Sequence, residues 1–115
     1  MGNDIGRLRT IHQYCCRIEN KIREAGEDED EFVYNLDLLH LCSFYVLQIG
    51  ECIKSLSPEL TKKYPEIPWR ELSGMRDIIA HGYERIDHTR IWFTVIEEIP
   101  LLKTTCERIL KELSP

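Results

Sequence analysis

Arg76-Asp77-Ile78-Ile79-Ala80-His81-Gly82-Tyr83 sets a fixed cation, an imidazole and a phenol close together and closes them with a glycine. Upstream and within it, Leu72, Met75 and Ile79 recur at steps of three and four, so the stretch reads as the end of an amphipathic helix over residues 68–80. Pro68 suits that helix's first turn, and Gly82 reads as a stop able to adopt positive φ. Arginine grips phosphate oxygens in a planar fork, histidine moves protons near neutral pH, and a phenol donates a hydrogen bond or accepts a modification. Together they suit chemistry at a phosphodiester.

The rest of the chain reads as a helical scaffold. Ile5, Leu8, Ile11, Cys15, Ile18 and Ile22 mark a first helix over residues 4–24, ended by Ala25-Gly26. The acidic run Glu27-Asp28-Glu29-Asp30-Glu31 is a solvated loop entering a second helix, where its charge suits the N-terminal dipole. That helix is expected over residues 31–55, with Phe32, Leu36, Leu39, Ser43, Val46, Gly50 and Ile53 on one face. Phe44 and Leu47 widen the face enough for contact with both the core and another subunit. Gly50 in mid-helix costs roughly 1 kcal/mol relative to alanine, which a close helix crossing would offset. Ser57-Pro58 begins a break, and Tyr64-Pro65-Glu66-Ile67-Pro68 is an extended connector. Asp87 can cap a last helix that starts near His88 and runs to about residue 112, kinked or divided by Pro100. No segment alternates convincingly as a strand. The expected fold is all-α, a small antiparallel bundle of four to five helices forming one domain over residues 1–115.

Composition limits what such a bundle does. The net charge is −5, and the isoelectric point near 5.4 argues against a broad basic nucleic-acid face, though not against a small local site. Five cysteines, with Cys15 and Cys16 adjacent and no C-x-x-C, form neither a disulfide framework nor a zinc pattern. They read as thiols of a reducing cytoplasm. His40 has no second ligand at helical spacing and reads as a packing or solvent-facing residue. No metal or other cofactor is expected. Neither a signal peptide nor an uninterrupted apolar run of about 18–20 residues is evident.

On an ideal helix of about 100° per residue, Arg76 and Tyr83 lie nearly in line, with small Ala80 between them. His81 is about 140° away from Arg76. Either the helix unwinds at Gly82, or the site draws on two copies of the chain, which a two-fold dimer would supply. Each residue also has an ordinary reading: Arg76 as a surface cation, His81 as a helix-end charge, Tyr83 as a packing residue. Tyr64, Trp69 and Trp92 could stack on bases, but core or interface packing is the expected role.

The spacing R-x-x-x-x-H-x-Y resembles the signature of the HEPN superfamily, and in particular its HepT-like toxins. Gln48-Ile49-Gly50-Glu51, Tyr64 to Arg70, Gly74-Met75-Arg76, Ile86-Asp87 and Trp92 fit the same pattern in order. The resemblance implies a cytoplasmic homodimer with its cleft at the dimer interface, cutting RNA without metal through a 2′,3′-cyclic phosphate. Arg76 and His81 would be catalytic. It also implies a nucleotidyltransferase antitoxin that transfers AMP to Tyr83. Asp77 departs from the neutral polar residue common in the family, and could pair with Arg76, repel phosphate or orient the imidazole. The alternative is a noncatalytic dimer serving as the accessory subunit of a nucleotidyltransferase, with Arg76 and His81 binding nucleotide phosphate.

Overall fold

The computed structural model describes residues 3–82 and 87–114. Tyr83 and Ile86 lie outside the described residues. Every regular element among those described is helical: α1 (Asp4–Glu24), α2 (Glu29–Tyr34), α3 (Leu36–Lys54), α4 (Pro58–Lys63), α5 (Trp69–His81), α6 (His88–Phe93) and α7 (Ile99–Leu113), with a π turn at Thr94–Glu98 between the last two.

The expected first helix forms over its whole span, and Leu8, Ile11, Cys15 and Ile18 are fully buried. It packs on both α3 and α7. Ion pairs show its direction: His12 meets Glu107 at 2.8 Å and Glu19 meets Lys103 at 2.9 Å, so α1 and α7 run antiparallel. Its first residue, Asp4, is buried and joins the far end of α3, accepting from the Ser57 N–H at 3.0 Å and the Ser57 hydroxyl at 2.7 Å. That contact makes α1 and α3 antiparallel as well.

The second expected helix is two. Asn35 breaks it in extended conformation, and its side chain accepts from the Leu38 N–H to cap α3. An Asn oxygen at an N-cap satisfies a donor that a continuous helix would otherwise bond to its own backbone. Asp28 caps short α2 in the same way, taking the Asp30 and Glu31 N–H groups. The two pieces stay docked because Phe32 is fully buried and meets the Trp92 ring at 5.2 Å.

α3 is the middle of the bundle, packed against α1 on one side and α5 on the other. By length and composition it is apolar enough to cross a bilayer. Leu38, Leu39, Cys42, Val46, Ile49 and Ile53 are buried against its neighbours, which accounts for that apolarity within the bundle.

The expected break at Ser57 contains the short helix α4, capped by the Ser57 hydroxyl on the Leu60 N–H. The connector beyond it is pinned rather than loose. Tyr64 is buried and hydrogen-bonds Glu112, Glu66 pairs with Arg108, and the Trp69 indole N–H donates to the Tyr64 carbonyl at 2.8 Å. Tyr64 and Trp69 are core residues, as expected, so neither is available to stack on a base. Pro68 is the cap residue before α5 rather than within it.

Asp87 caps α6 through the Thr89 and Arg90 N–H groups, as its position suggests. Pro100 divides the last helix by a change of register. Its ring lacks the N–H that an α-helix would aim at the residue-96 carbonyl. The preceding turn widens, and the Ile99 N–H bonds to the Thr94 carbonyl, five residues back. The five cysteines are free thiols. Burial pushes Cys42 and Cys106 up to about 12, so these two stay protonated and unreactive at neutral pH.

Candidate active site

Arg76 sits midway along α5 because Gly50 lets that helix come close. A methyl group on Gly50 would lie 2.9 Å from Arg76 Cβ and 3.1 Å from the Leu72 carbonyl oxygen. The mid-helix glycine therefore marks a helix crossing, and the crossing point is Arg76 itself. Leu72, Met75 and Ile79 anchor the buried stripe of α5 on either side of it.

The crossing brings α3 carboxylate and ammonium groups to the arginine. Glu51, next to Gly50, is seated against Arg76 Nε. Asp77 Oδ1 accepts from Arg76 Nη1 at 3.0 Å and from Lys54 Nζ at 3.0 Å. The result is a row of four charges, Glu51–Arg76–Asp77–Lys54, formally neutral and partly open to water. The hydrogen bond to Asp77 and the charge of Glu51 hold the Arg76 guanidinium further up than usual. The bonds from Lys54 and then Arg76 hold Asp77 below the usual carboxylate range. A depressed carboxylate stays charged as pH falls until that lowered value is reached, so Asp77 neutralises Arg76 throughout the neutral range. Of the three roles open to Asp77, pairing with Arg76 is the one the structure shows. Lys54 is the residue the sequence reading missed. Nothing in its own neighbourhood flags it, since its partner lies across a helix crossing.

His81 is the last residue of α5 and is exposed, with no hydrogen-bond partner among the described residues. The helix ends at Gly82, one of the two possibilities the spacing left open, but it stays helical through His81, so the exit at the glycine does not change the angle at which His81 stands. Gly82 stops the helix, but not by the positive φ expected of it. Its φ is −131°, and its N–H closes the last turn on the Ile78 carbonyl at 2.9 Å. A Cβ there would sit 3.1 Å from the same carbonyl oxygen, so the lack of a side chain matters for space, not for handedness. The angular gap of about 140° between Arg76 and His81 therefore stands in the folded chain. One copy turns Arg76 toward α3 and leaves His81 on the outer surface, beside Ile78, an isoleucine that is 56% exposed. Among the described residues, no three His, Cys, Asp or Glu side chains stand together as a metal site.

A family model described as "Ribonuclease HepT-like" matches residues 8–109, nearly the whole of this bundle and all of the charged row. The chain belongs to the HepT-like ribonuclease family. Similar proteins include "Putative RNase MJ0125" of Methanocaldococcus jannaschii, 37% identical over 75% of this chain and 74% of its own. "Putative RNase MJ1216" of the same organism is 36% identical over 73% of this chain and 69% of its own. "Probable ribonuclease HepT" of Thermococcus cleftensis is 43% identical over 55% of this chain and 57% of its own. No solved structure gives a significant match. The HEPN-type helical architecture expected from the motif is the one observed.

Proposed function

We propose that this HepT-like chain is a ribonuclease toxin whose site is completed by a second copy, with Arg76 from one subunit and His81 from the other. The observation that carries this reading is the continuous α5. It keeps Arg76 and His81 on different sides of one helix while leaving His81 and Ile78 exposed at its end. Two such helices packed about a two-fold axis bring one subunit's imidazole toward the other's guanidinium, and Ile78 supplies apolar area to the seam.

In that site the ribose 2′-hydroxyl attacks the adjacent phosphorus. His81 takes the 2′ proton or protonates the leaving 5′ oxygen. Arg76 meets the charge that builds on the non-bridging oxygens. The P–O5′ bond breaks, leaving a 2′,3′-cyclic phosphate and a 5′-hydroxyl. No step calls on a metal. Wild-type protein is expected to cut RNA in excess EDTA and leave those ends, read by end-labelling of the fragments. Cleavage that stops with chelator and returns with magnesium overturns the metal-free mechanism.

Control is assigned to Tyr83, two residues past His81. A nucleotidyltransferase antitoxin adds AMP there, placing a phosphate where it can occupy Arg76 and exclude RNA. After co-expression with such a partner, mass spectrometry should find AMP increments on the Tyr83 peptide. An unmodified peptide from silenced toxin would leave physical masking as the mechanism.

One observation favours a second reading, a noncatalytic nucleotide-binding subunit: Arg76 is already engaged by two carboxylates. RNA left uncut by the purified dimer would decide for it.

A further inference from the structure

We propose that Lys54 and Arg76 together form the phosphate-binding element of the site, and that Asp77 holds the place between them that an RNA phosphate takes. This rests on the ribonuclease reading and adds to it a residue from α3.

One carboxylate oxygen is shared by the two cations. Asp77 Oδ1 is 3.0 Å from Arg76 Nη1 and 3.0 Å from Lys54 Nζ. The two nitrogens are therefore no more than twice that distance apart, a gap that two oxygens of one phosphate can bridge. A guanidinium and an ammonium converging on one anionic oxygen match what a phosphodiester requires. The geometry is fixed from both sides. Gly50 sets the distance between α3 and α5 at this level, and Glu51 seats Arg76 Nε so that Nη1 is left for Asp77.

Both cations and the aspartate between them are also reachable: the Lys54 side chain is 42% exposed, that of Arg76 32% and that of Asp77 52%. Exposed pairs of this kind contribute little to stability, so exchanging the Asp77 carboxylate for an equally charged phosphate costs little. Lys54 also lies in the last turn of α3. In the chain without RNA, Asp77 and Glu51 together balance the two cations, which limits indiscriminate attraction of polyanions. On binding, the aspartate swings aside and both cations turn to the phosphate. Lys54 touches substrate in the complex. Asp77 acts as a competitor that also keeps the two cations at the right spacing.

The test uses the dimer of this chain and an RNA whose cut site has been mapped with wild type. Binding is measured with the same sequence carrying 2′-O-methyl groups, which cannot be cut. Lys54→Ala is expected to weaken binding and raise KM about tenfold with kcat little changed. It should also lower the slope of log K against log salt by about 0.7, the loss of one contact to a single strand's phosphate. Lys54→Arg should restore both. Asp77→Asn should bind the same oligonucleotide more tightly than wild type. If Lys54→Ala and Asp77→Asn bind with wild-type affinity and slope while the wild type cuts RNA, the pair is only a surface link between helices and the inference is wrong. If the wild type itself neither cuts nor binds RNA, the ribonuclease reading fails first, and the two failures are told apart by that control.

Discussion

His81→Ala is expected to abolish RNA cleavage while leaving the bundle intact. A positioned general acid or base contributes about 10²–10⁴-fold to rate, and removing the imidazole forfeits that factor. The fold has little to lose. His81 is exposed at the last position of α5 and bonds no described residue. Alanine is also the better helix former there. Arg76→Ala should lose about 10²–10³-fold, the usual loss on deleting a group that meets transition-state charge. Its partners are not stranded by the change: Asp77 keeps Lys54, and Glu51 is open to water. His81→Ala should melt within a few degrees of wild type, since exposed changes of this kind stay within about 0.5 kcal/mol. Arg76→Ala, which gives up two partly exposed ion pairs at the helix crossing, should be less stable than that but still folded. Rates from purified variants on mapped RNA, beside their thermal melts, check this. A His81→Ala protein that cuts at the wild-type rate removes histidine from the chemistry. One that unfolds would make it a structural residue.

Gly50→Ala should damage fold and function together, although the residue touches no substrate. The added methyl would meet Arg76 Cβ at 2.9 Å and the Leu72 carbonyl oxygen at 3.1 Å. Neither is the free end of a flexible side chain, so α3 and α5 must move apart. Overpacking of this kind costs about 1–3 kcal/mol. The gain in helix propensity returns up to about 1 kcal/mol of that. A loss of several degrees in melting temperature is expected. The displacement falls on Arg76, and a shift of an ångström at a catalytic group can cost about 10²-fold in rate. Gly74→Ala is the control for stability. A Cβ there meets nothing within 4 Å, so the helix should gain from it. If Gly50→Ala melts and cuts like wild type, the crossing does not position Arg76.

The scaffold was legible wherever a helix carries its own periodicity. α1 was readable to its ends because Leu8, Ile11, Cys15, Ile18 and Ile22, all buried, repeat at steps of three and four. Ile5, also in the pattern, is only half-buried, and Asp4 takes the buried place beside it. The break at Asn35 was not, because Phe32, Leu36 and Leu39 continue a helical pattern straight through it. What separates α2 from α3 is a side-chain cap, helped by Phe32 docking on Trp92 from a distant segment. α4 is six residues long, too short to show a period. At Pro100 the sequence showed that the helix must change, but not that a π turn ahead of it would absorb the missing donor.

The candidate site divides in the same way. Arg76, Asp77 and His81 stand in one short motif, so their types and spacing could be read directly. The helical angle between Arg76 and His81 could be read too, and it is that angle that raised a second copy as one of two possibilities. The partners of Arg76 depend on where two helices cross. Gly50 signalled a crossing but not what lay opposite it. Glu51 and Lys54 acquire their places only through that contact.

The central claim is that Arg76 of one subunit works with His81 of its partner, and mixing two dead proteins tests it. Arg76→Ala and His81→Ala chains, carrying different tags and co-expressed, can be purified as the mixed dimer. In a two-fold assembly one of its two sites then lacks both groups and the other is complete. About half the wild-type rate on mapped RNA is expected from this mixture of two inactive chains. A mixed dimer as silent as its parents would contradict it and return the site, if there is one, to a single subunit.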